Sequence, residues 1–331
     1  MDRRRILKFG ALASGLFALP GLADTHAAEL TEVTNQGHIK MQLNEIEILL
    51  LSDGHISLTN PQPVFAPGIN PGHVKKELRK IFLAEDKLDT AINVMVLKIG
   101  DRVVLIDTGS GYYFGQTSGW LLKNLEASGI KAKDVTDVFI THAHIDHIGG
   151  ILDKQKAFIY PNTRYHLAKT EYDFWMSENP DFSKSKNTAS PQESINFAKD
   201  ILLTIKDRLT LFDYDTVLFS CIKTELAQGH TPGHTIFTVF SGNKSIKHIV
   251  DTFHTPLLIA RPEWGTQWDI DFEKGISTRK QILESCYQNR TLIMTTHLPW
   301  PGLGYIGKND QGSYQWISYP YFTPDRISIM G

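Results

Sequence analysis

Four side chains of the types that bind metal ions lie within six residues of one another, in the segment HAHIDH. His142 and His144 are two residues apart and directly follow an apolar run that predicts a strand. Because alternate residues of an extended chain point the same way, the two imidazoles can hold one cation together. Asp146 and His147 come at the turn into the next element, where they can face a second cation. Since neutral imidazole and carboxylate are ligands of zinc and similar divalent ions, the segment predicts a metal site.

Further side chains of the same types follow apolar runs later in the chain. The motif HTPGH places His230 and His234 four residues apart. Asp251 then comes at the end of one predicted strand, and His297 comes at the end of another. Junctions between strands and loops are places where the ends of a sheet can converge. We therefore expect these distant residues to join the first segment in one site.

The elements that would position these motifs are apolar strands separated by amphipathic helices. The predicted strands are 92–99, 103–106, 135–140, 222–227, 235–240, 246–250 and 291–296, with a further hairpin over 46–58 that turns at Asp53-Gly54. The predicted helices are 120–128, 195–205 and 272–286, and the polar stretch 177–192 is the one long loop or lid. Strand-rich stretches occur once in each half, which predicts two similar halves packed sheet to sheet with helices outside.

The composition is that of an ordinary globular protein. The chain has 331 residues, of which 41% are hydrophobic and 21% charged, so disordered and fibrous classes are excluded. A formal net charge of −2 provides no basic surface, which argues against a nucleic-acid partner. The two cysteines, Cys221 and Cys286, leave both a disulfide and two free thiols open.

The first residues are typical of an export signal. A positively charged start at residues 3–8 precedes a mostly apolar run at residues 9–23, and THA at residues 25–27 forms a cleavage site. The apolar run is shorter than the ~20 residues that span a bilayer. The arginines resemble a twin-arginine signal, and a general secretory signal is the alternative. We predict a signal peptide at residues 1–27, a single domain at residues 28–331, and a periplasmic or secreted protein without a stable membrane anchor.

The combination of HxHxDH, HTPGH, an aspartate after one strand and a histidine after another resembles the metallo-β-lactamase superfamily. The resemblance extends from about residue 43 to residue 306 and includes Asp107-Thr108-Gly109 after the strand VVLI. It implies an α/β fold, the αββα sandwich of two mixed β-sheets with helices on the outer faces. It also implies a dinuclear centre, with two Zn²⁺ ions favoured and Mn, Co or Fe also compatible with the ligands.

The resemblance assigns a role to each motif residue. The implied ligands are His142, His144 and His234 for the first ion, Asp146, His147 and His297 for the second, and Asp251 as the bridge between them. On this pattern His230 is structural and Asp107 orients a ligand. A water between the two ions would lose a proton and become the nucleophile. We predict Asp146, Asp251 and His254 as catalytic residues, with His254 as a donor near the leaving group or, alternatively, a rim residue without a catalytic role.

The stretches LIDTGSGYYFG, ITHAHIDHIGG, GHTPGHT and THLPWPGLGYI are similar to those of the methyl parathion hydrolases within the superfamily. The implied ligand set, with a bridging aspartate, also resembles the glyoxalase II, lactonase and phosphotriesterase-like branches. By local match Phe114, Trp175 and Phe197 line a substrate pocket, and core packing is the alternative for each. An apolar pocket beside two metals suits a neutral hydrophobic ester. We predict a small-molecule substrate, favouring a lactone such as an N-acyl-homoserine lactone, or a carboxylic ester. An organophosphate triester is the alternative, followed by an iron-dependent redox reaction and a non-catalytic binding protein. Related enzymes also make a homodimer a candidate assembly.

Overall fold

The computed structural model describes residues 37–321, 323 and 326–327. The signal peptide predicted at residues 1–27 lies outside these residues. Within them, fifteen strands form two mixed sheets, and eight α-helices accompany the sheets. No helix in the described part of the chain has the length and hydrophobicity that crossing a membrane requires.

The first sheet has eight strands in the order β15-β1-β2-β3-β4-β5-β6-β7. Strands β1 to β4 are antiparallel, whereas β4 to β7 run parallel to one another, as β15 does to β1. The strands are β1 His38–Leu43, β2 Ile46–Thr59, β3 Lys87–Ile99, β4 Arg102–Ile106, β5 Asp137–Ile140, β6 Arg164–Ala168, β7 Leu209–Phe212 and β15 Arg326–Ile327.

The second sheet has seven strands in the order β14-β13-β12-β11-β10-β9-β8. Its neighbours are antiparallel except β11 and β12, which run parallel. The strands are β8 Val217–Leu218, β9 Ile222–Leu226, β10 Thr235–Ser241, β11 Lys244–His248, β12 Ile293–Met294, β13 Leu303–Lys308 and β14 Tyr314–Ser318.

The helices connect and cover the sheets. They are α1 Gln62–Phe65, α2 Pro71–Lys80, α3 Leu121–Ala127, α4 Ile145–Ile148, α5 Lys169–Met176, α6 Gln192–Ile205, α7 Pro256–Ala260 and α8 Phe272–Gln288. Asp271 begins the longest of them, because its side chain accepts the otherwise unpaired N–H of Lys274. Residues 177–191, between α5 and α6, form neither helix nor strand, as the sequence predicts.

Three apolar layers hold the sandwich together. The central layer joins the facing sides of the two sheets, with Ile48 on one sheet and Phe237 on the other. A second layer packs the outer side of the first sheet against α3 and α6, and a third packs the second sheet against α2, α7 and α8. The prediction of two mixed sheets with helices on the outer faces is therefore confirmed.

The hairpin predicted at Asp53-Gly54 is wrong, because β2 continues through these residues with a bulge between Ser52 and His55. Asp53 is fully buried there and accepts hydrogen bonds from Ser110 N–H and Oγ, at 2.7 Å each, and from Leu121 N–H at 2.8 Å. Gly54 has a φ of 95°, which favours glycine. The polar pair therefore marks a bulge that anchors neighbouring loops.

The two cysteines do not form a disulfide. Cys221 and Cys286 are both free and buried. Burial raises the pKa of each thiol to about 11. The open question from the sequence is thereby resolved in favour of two free thiols, which act as small apolar side chains.

Candidate metal centre

The ends of strands from the first sheet supply one half of the site. His142 follows β5, and His144 is the N-cap of α4, the short helix that contains Asp146 and His147. Asp107 follows β4, which runs parallel to β5, so its side chain lies at the same edge of the sheet. The parallel pair thus brings two separate polar segments to one place.

Loops of the second sheet supply the other half. His230 lies between β9 and β10, Asp251 follows β11, and His297 follows β12. Because β11 and β12 are parallel, the last two reach the same edge. A backbone hydrogen bond of 3.1 Å from Thr235 N–H to the Thr141 carbonyl joins this edge to the end of β5.

Three imidazoles converge in what we call the three-histidine group, which consists of His142, His144 and His230. Nε2 of His142 lies 3.2 Å from Nδ1 of His144 and 3.1 Å from Nε2 of His230. Two ligand atoms of a tetrahedral zinc ion, each 2.0–2.1 Å from the metal, are about 3.3 Å apart. The three nitrogens therefore have the spacing of ligands around one cation.

Carboxylates characterise the second cluster, the aspartate group, which consists of Asp146, His147, Asp251 and His297. Nε2 of His297 lies 3.0 Å from Oδ2 of Asp251 and 3.3 Å from Oδ2 of Asp146. Nε2 of His147 lies 3.2 Å from Oδ2 of Asp251. Imidazole and carboxylate at these separations fit a second divalent cation.

Asp251 stands between the two groups. Its Oδ2 is 3.6 Å from Nε2 of His142 and 3.3 Å from Nε2 of His230, besides its contacts in the aspartate group. Its Oδ1 is buried and has no hydrogen-bond partner among the described residues. A buried carboxylate oxygen without a donor is costly unless a cation satisfies it, so this atom also fits a metal.

The structure places His230, rather than the predicted His234, with its Nε2 beside His142 in the three-histidine group. His234 immediately precedes β10, and its ring is fixed by the backbone: Nδ1 lies 3.1 Å from the Ala227 carbonyl, and Nε2 accepts from Asp251 N–H at 3.2 Å. Both ring nitrogens are therefore occupied. His230, at the start of the loop, is the one whose Nε2 points into the cluster. Both histidines belong to one motif, and no local spacing in the sequence separates their roles.

Two histidines of the aspartate group, His147 and His297, face the centre through Nε2 and are held by the other ring nitrogen. Nδ1 of His147 lies 2.7 Å from Oδ2 of Asp107, and Nδ1 of His297 lies 2.8 Å from the Ala91 carbonyl. Because these partners accept hydrogen bonds, each Nδ1 carries a proton, and Nε2 is the nitrogen that faces the aspartate group. Asp107 thus makes the contact expected of a residue that orients a ligand.

Sequence reasoning missed the partner of His230. Its Nδ1 lies 3.2 Å from Oδ1 of Asp269, and Oδ2 of Asp269 accepts from Arg279 at 3.0 Å. All three side chains are buried. Burial opposes ionisation of Asp269, but Arg279 and His230 outweigh it and lower its pKa to about 2. Because Asp269 lies in an irregular segment 39 residues from His230, no local sequence pattern predicts their contact.

The two groups differ in charge. Burial, together with the neighbouring rings, lowers the pKa of His142 and His144 well below the usual range, so these rings are neutral. In the aspartate group, burial again opposes a charged ring, but Asp251 and Asp146 outweigh it and raise the pKa of His297 to about 10. The surrounding imidazoles hold the pKa of Asp251 well below its usual range despite its burial.

His254 lies beside both groups without a fixed partner of its own. Its Nε2 is 3.4 Å from Oδ2 of Asp251, and its ring stacks on His297 with centroids 5.0 Å apart. Neither ring nitrogen has a hydrogen-bond partner in the part of the chain that the structure describes. Burial lowers its pKa to about 4, against the opposing effect of Asp251, so the ring is neutral.

A cavity of about 510 Å³ opens onto these groups. The three aromatic residues predicted for the pocket lie on its wall: Phe114 is partly exposed, Trp175 is buried, and Phe197 packs edge-on against Tyr113. The loop at 177–191 contributes Phe182 and several small polar residues to the same wall. The cavity is therefore largely apolar, with His254 and the two groups at one side.

A family model described as the metallo-beta-lactamase superfamily matches residues 89–257. The chain belongs to the metallo-β-lactamase superfamily, as the sequence motifs predict, and it is a hydrolase of that superfamily. Among curated protein sequences, none matches.

Solved structures agree with the family. The chain is 35% identical to AidC, a dizinc quorum-quenching lactonase in complex with the product N-hexanoyl-L-homoserine, with a TM-score of 0.82 over 87% of this chain and 99% of that one. It is 28% identical to the beta-lactamase-superfamily hydrolase AbOPH, with a TM-score of 0.78 over 87% of this chain and 99% of that one. A probable metal-dependent hydrolase from Staphylococcus aureus shares the fold at 19% identity, with a TM-score of 0.64 over 86% of this chain and 100% of that one.

Proposed function

We propose that this protein is an exported dinuclear hydrolase of neutral hydrophobic esters, with lactones favoured and N-acyl-homoserine lactones foremost among them. The observation that supports it most is the arrangement around Asp251, whose Oδ2 lies within 3.6 Å of Nε2 of five histidines beside an apolar cavity. The similarity to a dizinc lactonase supports the choice of lactone.

The residues of the two groups would hold the ions. His142, His144 and His230 would bind the first, Asp146, His147 and His297 the second, and Asp251 would bridge them. Two divalent ions, with Zn²⁺ favoured, would supply Lewis-acid polarisation of a substrate oxygen and would lower the pKa of a water toward neutrality.

Side chains of the protein supply charge, a hydrogen-bond donor and an apolar wall. Asp251 and Asp146 supply the negative charge that would attract divalent cations into this buried site. His254 is neutral and has no competing partner, so its single N–H can donate to an oxygen of the substrate or of the leaving group. The aromatic wall excludes water from the acyl part of the substrate and favours an apolar chain.

The first experiment compares two substrates on the same metal-loaded protein. We expect kcat/KM for N-hexanoyl-homoserine lactone to exceed that for an aryl phosphotriester by several orders of magnitude, and metal analysis to give two ions per chain. His297→Ala is the matched inactive control. The reverse order of substrates would establish the organophosphate alternative, and absence of hydrolysis across a wider ester panel would refute the proposal.

The proposed export is tested separately. Cleavage after Ala27 would leave a mature chain that begins at Ala28, and N-terminal sequencing of the protein recovered from the periplasm or medium would identify that residue. An intact Met1 start in the recovered protein would contradict the proposed signal peptide. Because it concerns only the first residues, this result leaves the assignment of the hydrolase unaffected.

A further inference from the structure

We propose that Glu171 is a positioning residue for the metal centre, fixing the two ligand-bearing segments relative to each other. This inference rests on the proposed dinuclear site. Glu171 lies in the first turn of α5, and its side chain is fully buried. It belongs to neither metal-ligand group, and no sequence motif draws attention to it.

The carboxylate of Glu171 accepts four hydrogen bonds. Its Oε1 accepts from Ala143 N–H at 3.0 Å and from the indole N–H of Trp175 at 2.7 Å. Its Oε2 accepts from the Thr231 hydroxyl at 2.6 Å and from Gly233 N–H at 2.9 Å. One oxygen therefore holds the segment HAHIDH, and the other holds the segment HTPGH.

The donors lie next to the ligands of the three-histidine group. Ala143 is between His142 and His144, and Thr231 directly follows His230. In contrast, the carboxylate has no hydrogen bond to the residues around His297. Displacement of Glu171 would therefore act most directly on the three imidazoles. In the aspartate group, only Asp146 and His147 share a segment with one of its donors.

The contact is tight on the side of the HTPGH segment. A Cβ at Gly233 would lie 2.3 Å from the backbone nitrogen of Glu171, so only glycine allows this approach. The Gly233 carbonyl accepts from the hydroxyl of Tyr214 at 2.7 Å, which holds the segment from its other side. The loop is thus fixed against α5 by backbone as well as side-chain contacts.

The substitution Glu171→Gln tests this role because it conserves shape. If the new amide nitrogen faced Ala143 and Trp175, it would oppose two N–H donors. If it faces Thr231 instead, the hydroxyl can accept, and Gly233 N–H alone loses its partner. Gln should therefore keep the HAHIDH segment in place and release the HTPGH segment that bears His230.

The readout is stepwise binding of Zn²⁺ to metal-depleted protein, measured by competition with a chromophoric chelator. We expect Glu171→Gln to weaken one of two binding steps by about 10-fold to 100-fold, as partners of metal ligands do. It should be the step that His230→Ala also weakens, not the one that His297→Ala weakens. Lactone turnover of the variant should rise toward that of the unmodified protein in excess Zn²⁺.

Two further variants separate positioning from stability. Asp53→Asn alters another buried carboxylate with several donors, none on the ligand segments, and should lower the melting temperature without changing either binding step. Thr231→Val removes one donor from Glu171 and should weaken the same step less, which keeps the test valid if Glu171→Gln does not fold.

The outcomes distinguish this inference from the proposed function. If the unmodified protein binds no second Zn²⁺, the dinuclear site itself fails. If it binds two, and Glu171→Gln or Thr231→Val binds both with unchanged affinity, the inference is overturned. It is also overturned if both steps weaken equally, since that is the result of general destabilisation.

Discussion

The two halves of the metal centre differ in the side chains that form them. The three-histidine group contains the neutral rings of His142 and His144 and no carboxylate of its own, whereas the aspartate group includes Asp146 and Asp251. Coulomb attraction in a buried site acts over several ångströms and tolerates small displacements. Coordination by neutral nitrogen depends on each ring lying at its bonding distance. We therefore expect the first ion to depend on exact placement of its ligands and the second to depend on charge.

Asp251 is the residue that both halves share, so its removal should have the largest effect. We expect Asp251→Ala to lower lactone turnover at least about a hundredfold, since it takes charge from one group and a ligand from both. Steady-state kinetics with metal analysis provides the measurement. Near-normal turnover with two bound ions would remove Asp251 from the bridging position.

His230 and His234 belong to the same motif, and we expect only His230 to bind a metal ion. We expect His230→Ala to lose one of two ions and most of its turnover, because its Nε2 faces the three-histidine group. His234→Ala should retain both ions with a smaller loss, since the His234 ring contacts the Ala227 carbonyl and the Asp251 N–H through its two nitrogens. The number of metal ions bound per chain, measured for both variants, distinguishes the two roles. The opposite ranking would restore the assignment made from the sequence.

Asp107 contacts His147 of the aspartate group, so its substitution tests that group. It accepts from His147 at 2.7 Å and from Thr141 N–H at 2.8 Å. Asp107→Asn removes a negative charge and one acceptor, so we expect metal affinity to fall about 10-fold to 100-fold. The Zn²⁺ titration should assign this loss to the step that His297→Ala weakens. An effect confined to the other step would show that the groups are not separable.

Asp53 is expected to affect stability and leave the centre intact. Burial raises its pKa to about 6, so between its usual pKa and pH 6 the folded protein keeps a proton that the unfolded chain loses. Stability should therefore fall as the pH rises through this window, by up to about 3 kcal/mol. In Asp53→Asn, the free energy of unfolding should not fall with pH over this window. Denaturant unfolding at several pH values measures it, and identical slopes in both proteins would contradict the assignment.

Much of the fold and most members of the two side-chain groups follow from local patterns. The short segments around His142 and Asp251 could be recognised because strand, turn and ligand are consecutive in the chain. The β3–β4 hairpin is confirmed for the same reason. The paired sheets followed from the resemblance and from the repeated order of strands.

The errors arose where a neighbour distant in sequence decides the outcome. Asp53-Gly54 has the composition of a turn, yet hydrogen bonds from Ser110 and Leu121 convert it to a bulge. The role of His230 depends on Asp269 and that of the HTPGH segment on Glu171, through contacts that no local spacing encodes. Long-range hydrogen bonds to buried carboxylates were thus the least predictable part of the site.

The hydrogen bond between Thr235 and Thr141 joins two sheets whose ligands are spread from residue 142 to residue 297. This spacing has a consequence for biosynthesis. A nascent chain that has folded only its first sheet presents His142, His144, Asp146 and His147 without the partners that complete either group. The complete centre can assemble only after the segment containing His297 has left the ribosome. On the proposed dinuclear assignment, both ions would therefore be acquired late, after the second sheet has closed.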